Sequence, residues 1–177
     1  MHKLKVNLDD VATAFDWDRS ENDEPYLDVE TGAVVYAMSE AKRLLDEFEV
    51  QDVGSDEDKL ERLERWMERE AVPDWQKDTV REAFEIETVG PVRFLWIPER
   101  ESHQGYDDMV DFTADIEDKQ LQGLLWAALD GKGAFRRFKD VLLRFPETRE
   151  AWFAFREKRE RDHIIEWLED EGIELEE

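Results

Sequence analysis

From Ser102 to Gly172 the apolar residues recur at helical spacing, broken near Asp118, at Gly131 and Gly133, and at Pro146. An amphipathic helix has to bury its apolar stripe against something, so four in succession predict a helical lobe. Ser102 is expected to cap the first, which carries Tyr106, Met109, Val110, Thr113 and Ile116. A second runs from about Asp118 to Leu129. A third spans Ala134 to Phe145 and stops at Pro146. The fourth runs from Thr148 to Asp170, with Gly172 as a left-handed cap. The chain is expected to be helical to its end.

The first half reads differently. Asn7 caps a short helix with Leu8, Val11, Ala12 and Phe15 on one face. DRSENDEP is a loop. YLDVETGAVVYAM is a β-hairpin signal, with Tyr26, Asp28 and Glu30 facing away from Leu27 and Val29, and Gly32 supplying the positive φ of a tight turn. Ser39 to Phe48 is helical through Ala41, Leu44, Leu45 and Phe48. QDVGSDED is an acidic hinge in which Ser55 or Asp56 caps the next helix, whose stripe is Leu60, Leu63, Trp66 and Met67. Pro73 ends it. Asp74 to Glu85 forms a further helix carrying Trp75, Val80 and Phe84. The short apolar run in VGPVRFLWIPE, bounded by Pro91 and Pro98, suits one strand that pairs with the hairpin. The fold class is α+β: a small antiparallel sheet (hairpin plus one later strand) with a larger C-terminal helical lobe. Residues 1–177 are read as a single domain, with sub-lobes 1–52 and 92–177 joined by an acidic helical connector.

Five strings carry a resemblance: FLWIP, SHQGYDDMVDF, GKGAFRRFKDVLLRFP, AWFAFREKR and WLEDEGIE. Together they resemble an uncharacterised bacterial protein family, over roughly residues 92–174 and in the hairpin YLDVETGAVVY. GKGAFRRFKD is the most specific piece. The resemblance implies an α+β protein of bacterial cytoplasm and brings no activity, cofactor or catalytic residue with it. The heavy acidic loading departs from the family pattern and reads as adaptation of the host.

Composition narrows the chemistry. With no cysteine, a disulfide framework, a thiolate metal site and a cysteine nucleophile are excluded. Seven Trp, ten Phe and three Tyr supply a core despite 41% charged residues. MHKLKVNLDD lacks the apolar centre of a secretory leader, and no uncharged apolar run approaches the roughly 20 residues of a membrane span, so a cytoplasmic address and no membrane partner are expected. The net charge of −24 repels phosphates and anionic membranes at long range. It reads first as a solvated acidic coat, second as a surface for basic partners.

That charge is segregated. Residues 131–161 hold ten Lys and Arg against five Asp and Glu, a local +5 that leaves −29 for the rest. In the helix after Gly133, the residues Ala134, Phe135, Phe138, Val141, Leu142 and Phe145 form the apolar stripe, and Arg136, Arg137, Lys139 and Arg144 project from it or lie along its edges. Lys132, Arg136, Arg137 and Lys139 are the candidate anion- or partner-binding residues. Gly131-Lys132-Gly133 precedes a helix start, where free N–H groups favour an anion, but no Ser or Thr follows in a Walker A pattern. The glycines read first as helix punctuation, with the bases paired to the protein's own carboxylates.

His103, Asp107, Asp111 and Asp115, four apart, share a helix face opposite the apolar stripe, and a charged face so placed is solvated; no metal site is assigned. The serines sit in no nucleophile elbow, and Trp126, Trp152, Phe155 and Trp167 read as core. No cofactor is expected. The leading functional expectation is an interaction or regulatory module whose basic helical face meets an acidic protein or another anion. Nucleic-acid or ribosome binding through the same segment ranks second, and an enzyme with a cleft between sheet and helices third.

Overall fold

The computed structural model describes residues 2–52, 58–100 and 102–176, and the side chains of all of these but His2 and Ser102. In chain order the elements are β1 (His2–Leu4), α1 (Leu8–Phe15), β2 (Glu24–Asp28), β3 (Val34–Ala37), α2 (Ser39–Gln51), α3 (Lys59–Arg69), α4 (Asp74–Val89), β4 (Phe94–Trp96), α5 (Ser102–Ala114), α6 (Lys119–Leu129), α7 (Ala134–Leu142), α8 (Pro146–Asp170) and β5 (Ile173–Leu175). They fall into two compact units, Met1–Glu99 with Ile173–Glu177, and Arg100–Gly172. The α+β class holds.

In the first unit β2 is the central strand of an antiparallel sheet ordered β3-β2-β4. Tyr26 lies opposite Val35 on one side and Trp96 on the other, and Leu27 opposite Val34 and Leu95, as the hairpin-plus-strand reading requires. Ala37, Phe94 and Ile86 share one apolar cluster, which packs α4 against the sheet. A second cluster joins Ala41, Leu45 and Phe48 of α2 to Leu63, Trp66 and Met67 of α3 and to Val80 and Ala83 of α4. The Trp66 ring meets Phe48 edge-on with centroids 5.9 Å apart. Asn7 caps α1 by accepting from the Asp9 amide at 3.1 Å. The start of α2 takes its cap from a distance: buried Asp23 accepts from the Ser39 amide at 2.7 Å.

The hairpin turn is held by one acid and one base. The Asp28 carboxylate accepts from the Glu30 amide at 2.9 Å, and from Arg93 through two parallel bonds, Nε at 2.9 Å and Nη2 at 2.8 Å. Nη1 of the same arginine reaches Glu85 of α4, and its carbonyl accepts from the Val29 amide at 2.9 Å. Turn, β4 and α4 therefore meet on one guanidinium. Forked Arg–carboxylate bonds are both stronger and more directional than a single contact. They hold the Asp28 carboxyl down at about 2, chiefly through the Arg93 hydrogen bonds.

Several expectations need correction. The chain does not stay helical to the end: β5 pairs in parallel with β1, Leu4 opposite Leu175 and His2 opposite Ile173. Three-residue strands have too short an alternation to read, and their partners lie at opposite ends of the sequence. Trp75 is 71% exposed rather than buried. It stands in the first turn of α4, ahead of the buried Val80, Ala83 and Ile86. Leu60, in the first turn of α3, is also exposed. Asp58, not Ser55 or Asp56, caps α3, accepting from the Leu60 amide at 2.8 Å; Ser55 and Asp56 lie outside the described residues, as does the side chain of Ser102. Helix α4 runs on to Val89 and stops at Gly90, whose φ is +67°. Helix α7 stops at Leu142, and α8 begins at Pro146, where the missing N–H is one that a first turn leaves unbonded anyway.

Two predictions follow from this geometry. Gly32 has φ +75°, and a Cβ there would lie 2.0 Å from the Lys5 carbonyl oxygen beyond β1. Gly32→Ala is expected to cost roughly 2–3 kcal/mol, read as a lower urea midpoint with unchanged slope. The Asp28 carboxyl ionises near pH 2 in the fold and near its ordinary 3.8 when unfolded. Its contribution is complete above about pH 4 and is lost as pH falls through about 2. The stability gap between the native chain and Asp28→Asn should be about 2 kcal/mol at neutral pH and narrow over that window.

Candidate docking face

The second unit buries its aromatics at the centre. Phe112 of α5, Phe138 of α7 and Trp152 of α8 meet edge-on, with centroids 4.9–6.4 Å apart. Leu121, Leu125 and Leu129 of α6 join them. Phe112, absent from the expected α5 stripe, is only 6% exposed. Phe155 packs on the cluster from its edge, whereas Trp126 is 41% exposed. The expected aromatic core is thus realised at Trp152 and Phe155, and Trp126 faces outward.

Helix α6 is capped at its start by Asp118, which accepts from the Gln120 and Leu121 amides at 2.9 and 3.0 Å. After its end at Leu129 the chain reverses through Gly131 (φ +74°) and Gly133 (φ +81°) into α7. A helix end leaves carbonyls without partners, and here Arg137 supplies them. Its Nε donates to the Ala128 carbonyl at 3.1 Å, Nη1 donates to that of Lys132, and Nη2 donates to those of Asp130 and Gly131. The cation also opposes the negative end of the α6 dipole. Of the four candidate residues, Arg137 is therefore turned onto its own turn and serves the fold.

Lys132, Arg136 and Lys139 are exposed, and none makes an ion pair among the described residues. Arg136 and Lys139 lie across α7 from its buried side, Ala134, Phe138, Val141 and Leu142. Phe135 (45% exposed) and Leu143 (61%) flank them. Phe135, expected in the apolar stripe, lies off it, over Gly105, where an added Cβ would come within 3.2 Å of its ring. The face is therefore two cations, Arg136 and Lys139, with apolar shoulders, and Lys132 is exposed in the turn before the helix.

Elsewhere in the basic window Arg159 and Arg149 are engaged, whereas the exposed Arg144, Arg156 and Lys158 make no ion pair among the described residues. Arg159 donates through Nε to Asp108 at 3.0 Å and through Nη2 to Asp111 at 2.9 Å, and the Asp108 bond raises the affinity of its guanidinium for the proton. Asp108, 1% exposed, also accepts from Arg100 at 3.2 Å. Arg149 stacks over Phe153 at 5.2 Å. His103, Asp107, Asp111 and Asp115 are all exposed as expected of a solvated face, and among the described residues no group of three or more His, Asp or Glu could hold a metal ion. Sequence reasoning missed a basic cluster in the acidic unit: Arg62, Arg65 and Arg69 share a cleft with Trp66 and Phe48. There Arg62 is forked onto Asp52 and Arg69 bonds Gln51 and Glu70. The i, i+3, i+7 spacing of these arginines was the available signal.

Among the described residues no helix is long and apolar enough to cross a membrane. Together the three-stranded sheet and the four C-terminal helices define an α+β protein with a helical unit inserted into a sheet-bearing one. The model of an uncharacterised protein family, UPF0158, matches residues 38–176, and the chain belongs to that family. It is 24% identical over 173 residues to the UPF0158 protein PA5073 of Pseudomonas aeruginosa, an alignment that covers 98% of this chain and 87% of that relative. No solved structure matches.

Because the Arg137 contacts need a planar fork, lysine is not a conservative replacement. Arg137→Lys is expected to lower stability by about 2 kcal/mol and to speed amide exchange at the end of α6, read by thermal melting and hydrogen–deuterium exchange.

Proposed function

We propose that the protein is a docking module whose second unit uses the outer face of α7 to hold an acidic segment of a partner protein. The single observation that supports this is the trio Lys132, Arg136 and Lys139, exposed and without an ion pair among the described residues in a chain with twice as many acids as bases. In such a chain an unpaired cation has many carboxylates available within its own fold, so Arg136 and Lys139 left unpaired on one face of α7, with Lys132 exposed in the turn before it, support a surface kept for a partner. Phe135 and Leu143 give the partner apolar surface to cover, and the charges set the orientation and rate of encounter more than the affinity. The overall charge of −24 opposes a nucleic-acid backbone over distances longer than this small patch can offset. An acidic protein segment carrying its own apolar anchors, with lower charge density, meets less repulsion.

The test is the double reversal Arg136→Glu with Lys139→Glu, two exposed sites away from the buried side of α7. Proteins captured by the native chain from a bacterial lysate are identified, purified, and titrated against both forms, with a single-stranded oligonucleotide in parallel. Binding of the partner is expected to weaken about tenfold in the reversed form. Unchanged affinity removes the docking face, and oligonucleotide binding whose salt slope drops on reversal replaces the protein partner by a nucleic acid.

A further inference from the structure

The second unit carries another surface, of opposite sign. At the end of α5 and the start of α8 lies a groove of about 470 Å³ floored by Phe112, Ile116 and Phe155. Asp115 and Glu147 stand on its rim, and no Lys, Arg or His is among its lining residues. Neither carboxylate makes an ion pair among the described residues. Glu147 lies in the first turn of α8, where the helix dipole accounts for an acid. Asp115 has no such account. It follows the last residue of α5, at the negative end of that dipole, and α5 has no base in its last turn. The Thr113 and Ala114 carbonyls there accept from the neutral Gln122 side-chain amide at 3.1 and 3.0 Å, and Thr113 also from the Ile116 amide at 3.3 Å. Arg159 lies 5.9 Å from the Phe155 ring and is held by Asp108 and Asp111.

An apolar floor beside uncompensated negative charge matches a side chain that is apolar along its stem and cationic at its head. We propose that this groove docks an arginine or lysine side chain from a basic segment of a partner protein. The stem lies on Phe112, Ile116 and Phe155, and the head meets Asp115 and Glu147. A bound cation relieves the conflict between Asp115 and the α5 terminus, and the field of a −24 chain draws basic segments toward it. This surface is separate in residues and in charge from the α7 face, so either can fail alone.

The full-length chain is titrated with n-butylguanidinium and with guanidinium while backbone amide shifts are followed by NMR. Saturating shifts at Ile116, Thr148 and Ala151 are expected, with half-saturation roughly tenfold lower for the butyl compound because its stem is partly buried. Asp115→Asn with Glu147→Gln should weaken binding about threefold or more, whereas Asp140→Asn, an exposed acid on α7, should not. Ala151→Leu fills the groove with a good helix former and leaves the charges in place, and should bring n-butylguanidinium down to the level of the bare ion. An acetyl-Leu-Arg-Leu-amide peptide should shift the same residues at lower concentration. Shifts scattered over the acidic surface, equal response to both ions, or indifference to the rim substitutions overturn the proposal. A peptide no better than n-butylguanidinium reduces the groove to a site for small organic cations and overturns docking.

Discussion

With 48 acidic and 24 basic residues, each cation in this chain has two carboxylates that could claim it, and the placement of the arginines governs both the fold and what is left for binding. Where elements distant in sequence have to be joined, an arginine forks between them. Arg93 joins the hairpin turn to β4 and α4, Arg159 joins α8 to α5, and Arg19 donates to the Ala14 and Ile97 carbonyls at 3.2 and 2.8 Å, linking the end of α1 to β4. Breaking such a pair costs more than forming it gains, because the partner left behind is still shielded from water. Asp28 and Asp108, 3% and 1% exposed, would each be a shielded charge without a partner if their arginines were removed.

Arg137 extends the same logic from carboxylates to carbonyls. Two glycines with positive φ let the chain reverse between α6 and α7, but the tight reversal leaves the carbonyls of the α6 end with too few backbone partners. One planar cation, reaching back from the first turn of α7, answers several of them at once. The GKGAFRRFKD string thus divides by role. Its glycines and Arg137 make the turn, Ala134 and Phe138 anchor the helix, and Lys132, Arg136 and Lys139 are left to solvent.

Helix positions were legible because periodicity is local: the stripes of α2, α3 and α6 and the caps at Asn7 and Asp118 can be read from a window of a dozen residues. The hairpin was legible through Gly32, and its third strand through the prolines around an apolar run. What could not be read depends on residues far apart. The β1–β5 pairing joins the two ends of the chain, the capping of α2 by Asp23 crosses sixteen positions, and the burial of Asp108 requires Arg159 fifty-one residues on. At the candidate face the periodicity put Arg136 and Lys139 outside the stripe. It could not tell Arg137 from its neighbours, because a guanidinium on a helix edge can turn to solvent or to the preceding turn, and only the α6 carbonyls decide which.

The helical unit itself is far less acidic than the rest. Residues 100–172 hold twelve Lys and Arg against eighteen Asp and Glu, a net −6, which leaves −18 for the other unit. Near-balance lets local sign vary over short distances, since at physiological salt a surface charge is screened within about 8 Å. A basic α7 face and an acidic groove at the α5–α8 end can then coexist on one small bundle without cancelling. The more acidic unit cannot do the same: its Arg62 and Arg69 are drawn onto Asp52 and Glu70, and its basic cleft is neutralised from within. Surfaces of either sign are sustained more readily where acids and bases approach parity, and the helical unit comes nearer to it than the sheet-bearing one.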